Sequence, residues 1–156
     1  MFPLILPLLF SLPATPPSTP PEVAPKTEEL KPLGFFSQKF PYQWDVLLPL
    51  KAEIDGLKLN TIFFNRRELR SGFLKGAEFG TRAQIEVTNT GKRSRMLNFA
   101  VAVLDEEGRL LGVATGGSKI TGVAPGETET FDLNFSRVLQ RLPKGTHFVL
   151  SLEFAE

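Results

Sequence analysis

Apolar and polar residues alternate with a period of two along most of the chain after residue 40. The clearest run is 81–113. Ala83, Ile85 and Val87 are separated by Arg82, Gln84, Glu86 and Thr88, the pattern of a strand with one buried face. The β-branched content argues against a helix there. Asn89-Thr90-Gly91 breaks the pattern, and Asn and Gly tolerate positive φ, so a reversal is expected. Alternation resumes with Leu97, Phe99, Val101 and Val103 on one face and Asn98, Ala100 and Ala102 on the other. Asp105 to Gly108 reads as the next turn, with Gly108 left-handed, and a third strand starts at Leu110.

The same reading extends to both sides. Two strands over 46–54 and 57–64 flank Asp55-Gly56, the residue pair that a two-residue type I′ hairpin turn requires. Pro49 cannot donate to a ladder, so the first of these strands belongs at an edge or a bulge. Leu69 to Leu74 reads as a short strand, Gly116-Gly117 as a flexible break, and 119–123 as another short strand. Pro125-Gly126 predicts a type II turn, after which Phe131, Leu133 and Phe135 face inward and Thr128, Thr130, Asp132 and Asn134 outward. Val138, Leu139 and Leu142 predict a helical turn over 136–142 that Pro143-Lys144-Gly145 ends. A last strand over 147–153 places Phe148, Leu150, Leu152 and Phe154 inside. The fold class is all-β: an antiparallel, immunoglobulin- or fibronectin-like sandwich of seven to nine strands. Trp44, Phe99, Phe131, Phe148 and Leu150 are its expected core anchors.

Three stretches, IEVTNTG, VAVLDEEGRLLG and VAPGETETFDLNF, resemble the FxLYD-type and related immunoglobulin-like modules of secreted bacterial proteins. Asn89, Gly91, Leu104, Asp105, Gly108, Pro125, Gly126, Glu127 and Phe131 carry the likeness, over roughly 81–135. Leu104 stands where the family has tyrosine. The resemblance implies a sandwich and an extracytoplasmic setting, and brings no catalytic residues with it.

Composition narrows the chemistry. Cysteine is absent, which excludes disulfides, thiolate nucleophiles, Cys-zinc sites and a lipobox anchor. Eighteen Lys and Arg against 17 Asp and Glu leave no concentrated basic field, so nucleic acid is not an expected partner. The N-terminus differs from the rest. Residues 1–14, MFPLILPLLFSLPA, read as the apolar region of a secretory signal cleaved after Ala14. The run is too short for a transmembrane anchor. Residues 15–33, dense in Pro, Thr and Ser, read as a disordered, polyproline-like linker. The domain is expected over 34–156.

Candidate sites are few. Phe35, Phe36, Phe40, Tyr42 and Trp44 form an aromatic segment that either packs as an edge strand or exposes Tyr42 and Trp44 to a partner or sugar. Arg66, Arg67 and Arg70 are a candidate anion-binding loop. His147, the only histidine, has neither the ligands for zinc nor a nucleophile elbow beside it. Asp105, Glu106 and Glu107 supply too few oxygens for calcium. The expectation is a non-enzymatic, exported (secreted or periplasmic) binding or structural module without cofactor or metal, meeting a protein or cell-envelope partner. The alternatives are a carbohydrate-binding or accessory enzyme domain built on residues 35–44, or a cytosolic adaptor.

Overall fold

The computed structural model describes residues 34–68, 78–136, 138 and 140–155. The expected signal segment and linker, the short strand over 69–74 and Arg70 all lie outside the described residues. Among the described residues eight strands follow in chain order: β1 Gly34–Pro41, β2 Leu47–Ile54, β3 Leu57–Glu68, β4 Glu78–Asn89, β5 Met96–Leu104, β6 Leu110–Gly117, β7 Thr128–Phe135 and β8 His147–Ala155. They form two antiparallel four-stranded sheets, the first in the order β1-β8-β5-β6 and the second in the order β2-β3-β4-β7.

The sheets pack face to face on the residues that the alternation places inward. Ala83, Ile85 and Val87 of β4, Leu97 to Val103 at every second position of β5, and Phe148, Leu150 and Leu152 of β8 are all buried. Ring contacts cross between the sheets: Phe99 lies 5.1 Å from Phe131 and Phe64 5.1 Å from Phe148. In β3 the buried set changes parity, from Leu57 and Leu59 to Ile62 and Phe64. A bulge between Leu59 and Thr61 adds the residue that makes this shift, so both halves face the core.

Turn chemistry accounts for several connections. Asp55 and Gly56 both adopt positive φ, 48° and 78°, as a type I′ hairpin requires. Pro49 lies on β2, an edge strand, and a bulge separates it from Ala52. Gly126 has φ 80°, and the Glu127 amide donates to the Ala124 carbonyl at 3.0 Å, closing the expected turn. Asn89 departs from expectation. It turns the chain through its side chain rather than through positive φ. The fully buried Asn89 Nδ2 donates to the carbonyls of Val123 (2.7 Å) and Arg93 (2.8 Å), and its Oδ1 accepts from the Gly91 amide (2.9 Å). Its backbone joins the same knot: its amide donates to Glu127 and its carbonyl accepts from Gly126.

Three local expectations are corrected. Residues 119–123 form no strand; only Val123 bridges, to Arg95. The expected helical turn over 136–142 lies partly outside the described residues; its described residues before Leu142 carry no helix, and a 3-10 turn forms at Leu142–Lys144. Pro143 sits inside it, because a missing amide proton costs nothing in a first turn. Gly116 and Gly117 are not a break but the end of β6, paired with Phe99 and Asn98. The inward positions of β6 are Gly112, Ala114 and Gly116. A Cβ on Gly116 would sit 3.2 Å from the Asp132 carbonyl and from Leu133, so these small residues let β7 approach β6 closely where the two sheets meet.

The Tyr42 ring packs 4.6 Å from Phe64, and its hydroxyl is buried without a hydrogen-bond partner among the described residues. Burial pushes its pKa well above the ordinary value. Below about pH 10 the phenol is neutral in both the folded and unfolded chain. Above that the unfolded chain ionises while the folded chain holds its proton, so stability falls by about 1.4 kcal/mol per pH unit. Tyr42→Phe is expected to raise stability at neutral pH by roughly 1 kcal/mol, by removing an unsatisfied polar group, and to flatten this alkaline decline. Denaturant titrations at pH 8 and above pH 10 check it; equal alkaline losses in both proteins would count against it.

Candidate binding surface

The outer faces of the two sheets differ. The second sheet is polar outside along β4 and β7, while β2 and β3 add the apolar pair Leu47 and Phe63. Arg82 pairs with Asp132 at 3.2 Å, Thr88 bonds Thr128 at 2.7 Å, and Asn60 bonds Thr88 at 2.8 Å. The first sheet carries small and apolar side chains across its breadth. Its register sets Ser37, Ser151, Ala100 and Thr115 side by side in one row, and Lys39, Val149, Ala102 and Val113 in the next. Phe35, Glu153 and Asn98 make the row before them.

Side-chain size shapes this surface. Ala100 and Ser151 rise little above the backbone, whereas Phe35 on the β1 edge is 63% exposed and stands over them. The result is a shallow depression of about 430 Å³ lined by Phe35, Asn98, Ala100, Thr115, Ser151 and Glu153. Ser37 Oγ and Ser151 Oγ lie 3.1 Å apart beside it, and Glu153 is the one carboxylate in its lining. A mostly apolar surface with a few polar groups at its rim favours binding over bond chemistry.

The residues singled out from the sequence are scattered. Tyr42 is buried and Trp44 half-buried against the core, which withdraws the tyrosine of the aromatic segment from the surface and leaves Phe35 as its exposed ring. Arg66 and Arg67 are both exposed, but they are consecutive residues of a strand, whose periodicity sends them to opposite faces. In the turn after β5, Asp105 Oδ2 meets Arg109 Nε at 2.7 Å, its Oδ1 accepts from the Arg109 amide at 2.8 Å, and Glu107 meets Arg109 Nη2 at 2.9 Å. Desolvation opposes the charge of Asp105, yet Arg109's hydrogen bonds and positive charge prevail and hold the carboxyl below its ordinary range. Among the described residues no group of three or more His, Asp and Glu side chains could hold a metal ion. His147 Nδ1 lies 3.0 Å from the hydroxyl of its neighbour Thr146.

The signal for the small-residue face was present in the sequence as Ala100 and Ala102 at outward positions. Nothing in the sequence placed Phe35 beside them, because that needs β1 to pair with β8.

No protein-family model matches the chain, and no curated protein matches it. Among the described residues, no helix is long and apolar enough to cross a membrane.

Proposed function

We propose that the chain is a non-enzymatic, immunoglobulin-like binding or structural module that works outside the cytoplasm and meets a protein or cell-envelope partner through the outer face of its first sheet. The observation that carries the reading is a difference between the outer faces: on the second sheet an ion pair and hydrogen bonds tie β4 to β7, whereas on the first small side chains leave a shallow depression beside exposed Phe35. The connectivity supports the fold assignment. β4 pairs with β7 in one sheet and β5 with β8 in the other, the relation of strands B and E to C and F in immunoglobulin domains. β6 lies beside β5 as an additional C′ strand does, and β1 takes, from the N-terminal end, the place that the last strand holds there. The apolar run 1–14 supports export.

Two measurements test this. A photo-cross-linking residue at Ala100, in the native host, is expected to give adducts that the same residue at Glu86, on the outer face of the second sheet, does not. Identical adduct patterns would remove the face from the proposal. Sequencing of the mature N-terminus is expected to begin at Thr15; an intact Met1 would sink export.

A further inference from the structure

We propose that the open edge of β6 pairs antiparallel with β6 of a second copy of this chain, joining the two first sheets into one eight-stranded sheet. Two four-stranded sheets have four edge strands, here β1, β6, β2 and β7. Three carry proline or charged side chains, which oppose edge pairing: β2 has Pro49, β1 has Lys39 and Pro41, and β7 has Glu129 and Asp132. β6, with the sequence LLGVATGG, contains neither proline nor charge, and its one irregularity is a bulge at Leu111 near its N-terminal end. Beside exposed Thr115 it presents large apolar side chains: Leu110 is 56% and Val113 47% exposed, and Ile120, in the loop that follows, is 91% exposed. These are three of the six large apolar side chains exposed among the described residues, the others being Phe35, Val46 and Leu47.

Charge selects a second copy and its direction. The N-terminal end of β6 follows the turn of Asp105, Glu106 and Glu107, which stays net negative although Arg109 pairs with Asp105 and Glu107, and its C-terminal end leads to exposed Lys119. Antiparallel self-pairing brings opposite ends together, so Lys119 of each copy approaches the acidic turn of the other, twice by symmetry. Parallel pairing would set acid against acid. A two-fold axis at Val113 faces Val113 with its own copy and Leu111 with Thr115, so no like charges oppose each other. Beyond the bulge at Leu111, the same direction brings Lys119 toward the turn that holds Glu107. The row of Val149, Ala102 and Val113 then continues across the junction. One strand pair buries less than the roughly 800 Å² per partner of a standard interface, so the affinity belongs in the micromolar range.

Sedimentation velocity of the full chain over rising concentration tests the pairing, independently of any other partner. The expected result is a reversible monomer–dimer equilibrium. Val113→Lys places two ammonium groups at the axis and is expected to weaken it by at least about 10-fold, whereas Gln84→Lys, an equal charge change on the outer face of central strand β4 in the second sheet, leaves it unaltered. Should Val113→Lys fail to fold, the ends carry the test: Lys119→Glu weakens the dimer, and adding Glu107→Lys restores it. A chain that stays monomeric up to about 1 mM, well above a micromolar dissociation constant, overturns the proposal. So does a dimer indifferent to both Val113→Lys and Lys119→Glu.

Discussion

Phe64→Ala is expected to lower the free energy of unfolding by about 4 kcal/mol. Phe64 is fully buried at the centre of the aromatic core. Its ring lies 4.6 Å from Tyr42, 5.1 Å from Phe148 and 6.4 Å from Phe135, so one side chain ties β3 to the segment after β1, to β8 and to β7. Truncation loses the transfer free energy of the ring and leaves a cavity whose walls belong to both sheets and cannot collapse without moving strands. Against a total stability of about 5–15 kcal/mol, a loss of this size unfolds a substantial fraction of molecules. Phe63→Ala is the control. Phe63 is the next residue, on the opposite face of β3 and only half-buried, and its truncation is expected to cost about 1 kcal/mol. Denaturant titration of both variants decides it. A costlier Phe63→Ala would mean that the bulge between Leu59 and Thr61 does not set the facing of β3.

Asn89→Asp is the second large effect, expected at about 4 kcal/mol despite almost no change in volume. The carboxyl keeps an acceptor for the Gly91 amide. It loses both donors and turns an oxygen toward the carbonyls of Val123 and Arg93, which the amide now meets at 2.7 and 2.8 Å. Asn89 is fully buried, so the new charge is desolvated as well. Asn89→Ala leaves the same groups unpaired without introducing charge, and is expected to cost less. A pH titration separates the causes. Repulsion and burial raise the folded-state pKa of the new carboxyl above its unfolded value of about 4, so the variant regains stability as pH falls through that window, and the Ala variant does not. Equal costs at all pH values would show that lost hydrogen bonds alone set the effect.

Asn89, Gly91, Gly126 and Glu127 lie in one knot, where Glu127 Oε2 also accepts from the Ala124 amide at 3.1 Å. Asp105 and Gly108 close the turn after β5 with hydrogen bonds to Arg109 and to each other. These six turn residues therefore hold connections between strands; none of these bonds lies in the depression on the first sheet.

The sequence by itself determined the buried faces of β4, β5, β7 and β8 and the tight turns at Asp55-Gly56 and Pro125-Gly126. A strand's facing is a period-two property of consecutive residues, and a type I′ turn such as Asp55-Gly56 is a property of two. These are local, so Phe131, Leu133 and Phe135 could be assigned inward without knowing their neighbours. Tertiary structure decided which strands lie side by side. β1 pairs with β8 across more than a hundred residues, and only that pairing puts Phe35 next to Ala100 and makes a depression. It also buried Tyr42, placed Gly116 within a strand against β7, and reduced 119–123 to one bridge. Alternation cannot distinguish a polar residue facing solvent from one whose side chain organises a buried knot, so the role of Asn89 emerged only with its partners 4 and 34 positions along the chain. Pairing between distant strands is selected by the combined burial of both faces, and no window of neighbouring residues contains that information.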